Sequence, residues 1–312
     1  MASRFQLLDG TSIPWLGWGN GSGRSNHDAL RCGRLALEAG IRHIDTAQVY
    51  KTESETGQCI VDAGVNRDEM YITSKLSKLP GDISVPLDQV RPLIEESKRK
   101  LGCTPDLFLI HNPTVARPGE LKAMWKILED MKSSGELKSI GVSNFRPQDI
   151  EEILDGAIYK PVVNQIEYHP FTLTHLEPLL ALQKKHNILT QSYGPLTPLL
   201  RHPTNGGPLI PILTRIAHRL STTTTTPIDT TTILLLWCRA QGVIPITTSA
   251  NPTRITHLAA IYSTLPPNLL TPDEIQQITD VGKKVHFRHY TEHMEKDFPL
   301  PNLPNDLPLS PT

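Results

Sequence analysis

Residues 41–50 read Ile41-Arg42-His43-Ile44-Asp45-Thr46-Ala47-Gln48-Val49-Tyr50. Ile41 and Ile44 lead into Asp45, the pattern of a short strand that delivers a carboxylate at its end, with Tyr50 on the loop or turn beyond. Taken alone, most such pairs are a helix cap and a packed aromatic. What decides the reading is the neighbouring strand ends. Met70-Tyr-Ile-Thr-Ser-Lys75 is a run of strand formers that ends on a lysine, and Asp106-Leu-Phe-Leu-Ile-His111 is an apolar run that ends on a histidine. Between them the spacing predicts helices over Glu53–Ala63, stopped by Gly64, and over Pro86–Leu101, with Leu87, Val90, Leu93 and Ile94 on one face.

The alternation extends in both directions. Upstream, Phe5–Ile13 reads as a β-hairpin turned by Asp9-Gly10. Trp15-Leu-Gly-Trp-Gly-Asn20 reads as a first strand whose glycines allow close approach to the backbone. A helix over about His27–Ala39, capped by Ser25 or Asn26 and ended by Gly40, precedes the Asp45 strand. Downstream, strands are expected at Leu137–Asn144, Val162–Glu167, Ile188–Tyr193 and Gly242–Thr247. The helices among them are Gly119–Ser134, Pro147–Leu154, Leu176–His186, Pro211–Leu220 and Thr230–Gln241, and a last one begins near Pro252. That makes eight strand–helix units from Trp15 onward. Strands separated by helices pair in parallel through right-handed crossovers, and eight such units imply a closed (β/α)8 TIM barrel, an α/β fold. An open doubly wound sheet would want a Gly-x-Gly-x-x-Gly turn, and Gly19, Gly21 and Gly23 lack that spacing.

At 312 residues the chain fits one barrel, 1–312, with the hairpin at about 5–13 and a Pro-rich, non-helical tail at about 297–312. Ser221-Thr-Thr-Thr-Thr-Thr-Pro227 is low complexity and reads as a mobile surface loop. Thirty-one Lys and Arg against 32 Asp and Glu, without a basic cluster, argue against a nucleic-acid partner. No apolar run approaches the roughly 20 residues that span a bilayer. The N-terminus lacks a secretory core, and Cys32, Cys59, Cys103 and Cys238 are scattered, as suits reduced thiols in the cytoplasm. A monomer or weak dimer is expected. A metal-dependent hydrolase on this barrel would need an early His-x-His pair, and there is none, so no metal is expected.

Chemistry in such a barrel sits at the C-terminal strand ends. Asp45, Tyr50, Lys75 and His111 fall there, on three neighbouring units. An Asp beside a buried Lys holds the ammonium, and a cation near a phenol favours the phenolate, so the Tyr50 pKa is expected below about 10. That suits Tyr50 as proton donor to a developing alkoxide, with neutral His111 donating to the same oxygen. Hydride reduction of a carbonyl fits the set. A Schiff base on Lys75 is the competing use.

The motifs together resemble the aldo-keto reductase family: His43-Ile-Asp-Thr-Ala47 with Tyr50, Thr73-Ser-Lys75, Leu109-Ile-His111, Gly141-Val-Ser-Asn-Phe145 and Asn164-Gln-Ile-Glu-Tyr-His-Pro170. The resemblance runs from about Phe5 to about Pro299. It implies Tyr50 as proton donor supported by Asp45, Lys75 and His111, NADPH as cofactor and a small-molecule carbonyl as substrate. It also implies that Ser143, Asn144 and Gln165 hold the nicotinamide carboxamide, that Tyr193 stacks on the ring, and that Gly19, Asn20 and Leu196 line the cofactor site. Where the family often has Pro-Lys-Ser, this chain has Thr247-Thr248-Ser249; Arg254 matches, whereas Thr248 replaces the lysine. One cation for a 2′-phosphate is missing, and Arg254 with three hydroxyls remains. His257 and Leu258 stand where Glu and Asn often meet the adenine, and Asn112 stands in the substrate pocket where many members have Trp. The Thr-Thr-Ser run and the His-x-Pro resemble the family's fungal keto-ester and conjugated-ketone reductases. A cofactor-binding sensor barrel without turnover is the alternative that the same resemblance allows.

Overall fold

Eight parallel strands close on themselves. In the computed structural model, which describes residues 3–21 and 28–305, the chain enters through a two-stranded antiparallel hairpin, β1 (Arg4–Gln6) and β2 (Ser12–Pro14). The barrel strands follow: β3 (Gly17–Gly19), β4 (His43–Asp45), β5 (Tyr71–Leu76), β6 (Leu107–Ile110), β7 (Ser139–Ser143), β8 (Val163–Glu167), β9 (Leu189–Tyr193) and β10 (Ile244–Thr247). Neighbours in sequence are neighbours in the sheet, and β10 pairs β3 to complete the ring. The register sets Gly19 beside Asp45 and Lys75 beside Leu109, so the ends of β3 to β6 open on one rim.

Between the strands run α1 (Ala29–Glu38), α2 (Glu53–Asp62), α3 (Leu87–Leu101), α4 (Leu121–Ser133), α5 (Pro147–Leu154) and α6 (Leu173–His186). A short α7 (Thr197–Leu200) precedes α8 (Ile210–Ser221), α9 (Thr230–Ala240), α10 (Pro252–Thr264) and α11 (Pro272–Gly282). The helix expected from His27 is described only from Ala29, and its expected caps Ser25 and Asn26 lie outside the described residues. Tyr50 sits on a single 3-10 turn, Gln48–Tyr50, ended by Lys51 at φ 59°. The stripe on α3 buries Val90, Ile94, Ser97 and Leu101 and stops at Gly102, whose φ of 71° is the left-handed end that glycine allows.

Strands covered on both faces bury nearly every residue. The barrel interior holds Tyr71, Leu107, Leu109, Val163, Ile244 and Ile246, and the hairpin adds Leu7 and Ile13 to the same cluster. The hairpin is thereby a plug at the end away from Asp45. Its turn is tied down by Asp9, which accepts from Ser139 Oγ at 2.8 Å and Lys132 Nζ at 3.1 Å. A larger apolar shell, including Trp15, Phe108, Trp125 and Trp237, joins the strands to the helices.

The Thr-rich segment is a surface loop in which Thr222, Thr223, Thr224 and Thr226 have engaged hydroxyls. Thr222 Oγ1 donates to the Arg219 carbonyl at 2.7 Å, and Thr223 and Thr224 donate to that of Leu220, so the run caps the C-terminus of α8. The Pro-rich tail contains no helix through residue 305. Residues 286–305 are pinned to the N-cap of α5 through Arg146 to the Lys296 carbonyl, to the first turn of α6 through His175 to that of Phe298, and to the loop after α7 through His202 to that of Asn305.

Candidate active site

Lys75 stands near the C-terminal end of β5 and is fully buried. Its Nζ donates to Asp45 Oδ1 at 2.5 Å and to the Thr46 carbonyl at 2.9 Å. It also hydrogen-bonds Tyr50. Burial works to lower the lysine pKa, but the charges of Asp45 and Tyr50 more than offset it, and the ammonium is held above its ordinary range. Asp45 spends its other oxygen on Gln165 Nε2 at 2.7 Å. Gln165 Nε2 also donates to Gln191 Oε1 at 2.9 Å, which leaves Gln165 Oε1 as the acceptor open to the cavity it lines.

Tyr50 lies over this pair. A β-carbon on Gly21 would come within 2.0 Å of the Tyr50 ring, so the ring can rest on the backbone only because position 21 is glycine. The phenol pKa is raised, not lowered as the sequence reading expects. Burial destabilises the phenolate by more than the Lys75 ammonium stabilises it. Tyr50 therefore keeps its proton well into the alkaline range. His111 stands edge-on to the ring with centroids 5.5 Å apart, and its Nε2 is 3.4 Å from Tyr50 Oη. Burial, helped by the Lys75 and His293 charges, holds its pKa well below the usual histidine range, so the imidazole is neutral.

These residues open onto a cavity of about 790 Å³. Asp45, Tyr50 and His111 lie at its inner end, and Gly19, Ser143, Asn144, Gln165, Tyr193, Leu196, Thr247, Thr248, Ser249 and Arg254 line it as it runs to the first turn of α10. Asn144 adopts φ 59°, a left-handed conformation that Asn tolerates better than most residues. Both ends of its amide are engaged: Nδ2 donates to the His111 carbonyl at 3.0 Å, and Oδ1 accepts from the Tyr193 hydroxyl at 2.7 Å. Asn144 thus couples the histidine loop to the tyrosine at the end of β9.

Three expected residues do not line the cavity; Lys75 is buried behind Asp45 and Tyr50, and two others turn elsewhere. Asn20 is fully buried and turns its amide to Thr56 Oγ1 at 2.8 Å. Asn112 accepts from Thr114 Oγ1 and starts the turn Pro113–Val115. Among the unexpected residues that line it are Arg201, just past α7, and Tyr290, Glu292 and His293 from the C-terminal segment. Glu167, at the end of β8, delivers that segment by accepting the backbone N–H of His289 at 2.9 Å and of Tyr290 at 3.1 Å. The buried Arg288 guanidinium and His169 complete this anchor.

Residues 15–283 match the model of the aldo/keto reductase family. The chain belongs to that family. The NAD/NADP-dependent indole-3-acetaldehyde reductase of Schizosaccharomyces pombe is 32% identical over 297 residues, covering 92% of this chain and 98% of that protein. The NADPH-dependent alpha-keto amide reductase of Saccharomyces cerevisiae is 31% identical over 249 residues, covering 78% and 75%. A Bombyx mori aldo-keto reductase, solved in complex with NADP, superposes with a TM-score of 0.79 at 31% identity, over 96% of this chain and 98% of that one. This aldo-keto reductase is accordingly an oxidoreductase, and its closed barrel with an N-terminal hairpin is the expected fold. No helix among its described residues is long and apolar enough to cross a membrane.

Proposed function

We propose that this chain reduces small carbonyl compounds, aldehydes, ketones or keto esters, with NADPH in the cytoplasm. The observation that carries the reading is a fully buried ammonium joined to both a carboxylate and a phenol, with a neutral imidazole 3.4 Å from the phenol oxygen. The cavity suits the cofactor. Amide and hydroxyl groups of Ser143, Asn144 and Gln165 gather at its inner end, where a carboxamide needs donors and acceptors together. Tyr193 offers a ring beside them, with Gly19 and Leu196 along the wall. At the outer end Thr247, Thr248, Ser249 and Arg254 present hydroxyls and a guanidinium at the start of α10, which suits a phosphate.

When bound, the cofactor supplies the hydride to the carbonyl carbon. Tyr50 gives its phenolic proton to the carbonyl oxygen. Its Oη is held as a hydrogen-bond acceptor by Lys75, so the phenolate left behind forms beside a fixed cation. Asp45 keeps that cation in place and spreads its charge towards Gln165. His111, neutral, offers a hydrogen bond to the same carbonyl oxygen.

Tyr50→Phe tests the assignment. It removes one hydroxyl and is expected to lower reduction of an activated ketone by about 10²-fold or more while NADPH binding barely changes. Near wild-type turnover in that variant would remove Tyr50 from the chemistry. Wild-type protein that binds NADPH but turns over no carbonyl across a broad panel would favour the sensor reading.

A further inference from the structure

We propose that Ser77 is a positioning residue that sets the tautomer of His111, placing the ring proton on Nε2, where it faces Tyr50 and the carbonyl. The inference rests on the reductase reading for its consequence in catalysis but not for its geometry. Ser77 lies two residues past Lys75, immediately after the C-terminal end of β5, and is 3% exposed. Its Oγ is 2.9 Å from His111 Nδ1. The other imidazole nitrogen, Nε2, is the one 3.4 Å from Tyr50 Oη.

A neutral imidazole carries one N–H and one lone pair, so one partner decides which nitrogen has the proton. The Val49 backbone N–H donates to Ser77 Oγ at 3.3 Å, so the hydroxyl already serves as an acceptor. Its own proton has no acceptor other than His111 Nδ1 among the described residues. If Nδ1 carried the ring proton, Ser77 would accept twice and bury an unpaired O–H, at a cost of about 1–3 kcal/mol. The favoured arrangement runs Val49 N–H to Ser77 Oγ, Ser77 O–H to Nδ1, and Nε2–H towards the Tyr50 side. It involves no net transfer of protons.

Ser77 is itself fixed. Its backbone N–H donates to Gln48 Oε1 at 2.9 Å, and the Gln48 amide is anchored on α3 through the Leu93 carbonyl at 3.0 Å and Ser97 Oγ at 2.9 Å. The His111 main chain is pinned from the other side by Leu76 and Asn144. A ring whose backbone is held and whose far nitrogen is hydrogen-bonded can aim its remaining N–H at one place, the inner end of the cavity.

Long-range ¹⁵N–¹H correlation spectra of ¹⁵N-histidine-labelled protein read the tautomer without any turnover, with the signal assigned by its loss in His111→Gln. Wild type is expected to show the Nε2–H form. Ser77→Ala is expected to lose that preference and to lower kcat by about 2- to 12-fold, the equivalent of one neutral hydrogen bond, with NADPH Kd unchanged. Ser77→Thr keeps the hydroxyl and should restore both the tautomer and the rate lost in Ser77→Ala. An Nδ1–H form in wild type, or an unchanged Nε2–H form and kcat in Ser77→Ala, would overturn the proposal. Should Ser77→Ala not fold, the wild-type spectrum and Ser77→Thr decide it alone. If the protein reduces nothing, the spectra still report on Ser77, so the two readings fail separately.

Discussion

Lys75→Met separates what the buried pair does for stability from what it does for chemistry. In the wild type, Asp45 is 3% exposed and its carboxylate is met by Lys75 Nζ at 2.5 Å and Gln165 Nε2 at 2.7 Å. Methionine matches the volume of the lysine stem but leaves the carboxylate with one neutral donor. Removing one partner of a buried ion pair costs about 3–5 kcal/mol, against a total stability of about 5–15 kcal/mol. For a chain of this size that is a fall of on the order of 10 °C in Tm. Adding Asp45→Asn removes the orphaned charge while keeping its shape. The double variant should therefore be more stable than Lys75→Met by about 1–3 kcal/mol, a non-additivity expected of direct partners. Activity should not follow. With no cation beside Tyr50 Oη, both variants should stay about 10²-fold or more below wild type. Thermal melts followed by circular dichroism and NADPH absorbance assays on the same preparations make the comparison. A double variant no more stable than the single would show that the carboxylate is not the liability. Activity that recovers along with stability would confine Lys75 to holding the fold. Borohydride trapping of a substrate adduct on wild-type Lys75 would instead favour the Schiff-base use of this residue.

Arg254→Ala is expected to weaken NADPH by roughly 10- to 150-fold, from a charge-assisted contact of about 1.5–3 kcal/mol, and to leave NADH nearly unmoved. Titration by fluorescence quenching checks this, and equal losses for both cofactors would take Arg254 off the 2′-phosphate. Thr248→Lys should tighten NADPH selectively in the same assay. Stability should fall on acidification below about pH 6.5. Burial holds His43 at about 3 and His175 and His286 at about 4, so between pH 4 and 6.5 the unfolded chain binds protons that the folded chain refuses. Each such proton costs at most about 1.4 kcal/mol per pH unit, and none of the three contributes once pH exceeds the unfolded value. Urea midpoints at pH 7.5, 6.0 and 4.5 should therefore decline in that order, and a flat series would mean these histidines charge inside the fold.

The barrel was legible because its signal is a period. Each unit repeats an apolar run and a helical stripe, and closure follows from their number. What escaped that reading did so for the same reason. Among the described residues no strand follows α11, so the alternation does not call for it, although Thr271 and Glu274 form a reciprocal cap at its start. α7 spans only Thr197–Leu200, less than any periodicity can register. The site divides along the same line. Asp45, Lys75 and His111 stand at the ends of neighbouring strands, and strand ends in a barrel converge, so their positions in sequence translate directly into proximity.

Arg201, Tyr290, Glu292 and His293 reach the cavity from loops and from the C-terminal segment, whose course depends on where their anchors lie. Glu167 is such an anchor: it sits inside a family motif, but its carboxylate is spent on the backbone of His289 and Tyr290, more than 100 residues later. A contact of that span leaves no local pattern, since neither partner constrains its own neighbours. The expected fall in the Tyr50 pKa fails on different grounds. A residue list supplies the sign of each nearby charge, and the charge of Lys75 does lower that pKa. It does not supply the depth of burial, which here outweighs the charge. The raised value also alters the role of Lys75. At neutral pH its ammonium faces a phenol that holds its proton, so in the reduction proposed above its leverage would fall on the transition state, where negative charge first appears on Oη, and little on the ground state. Loss of Lys75 should therefore appear in kcat far more than in KM.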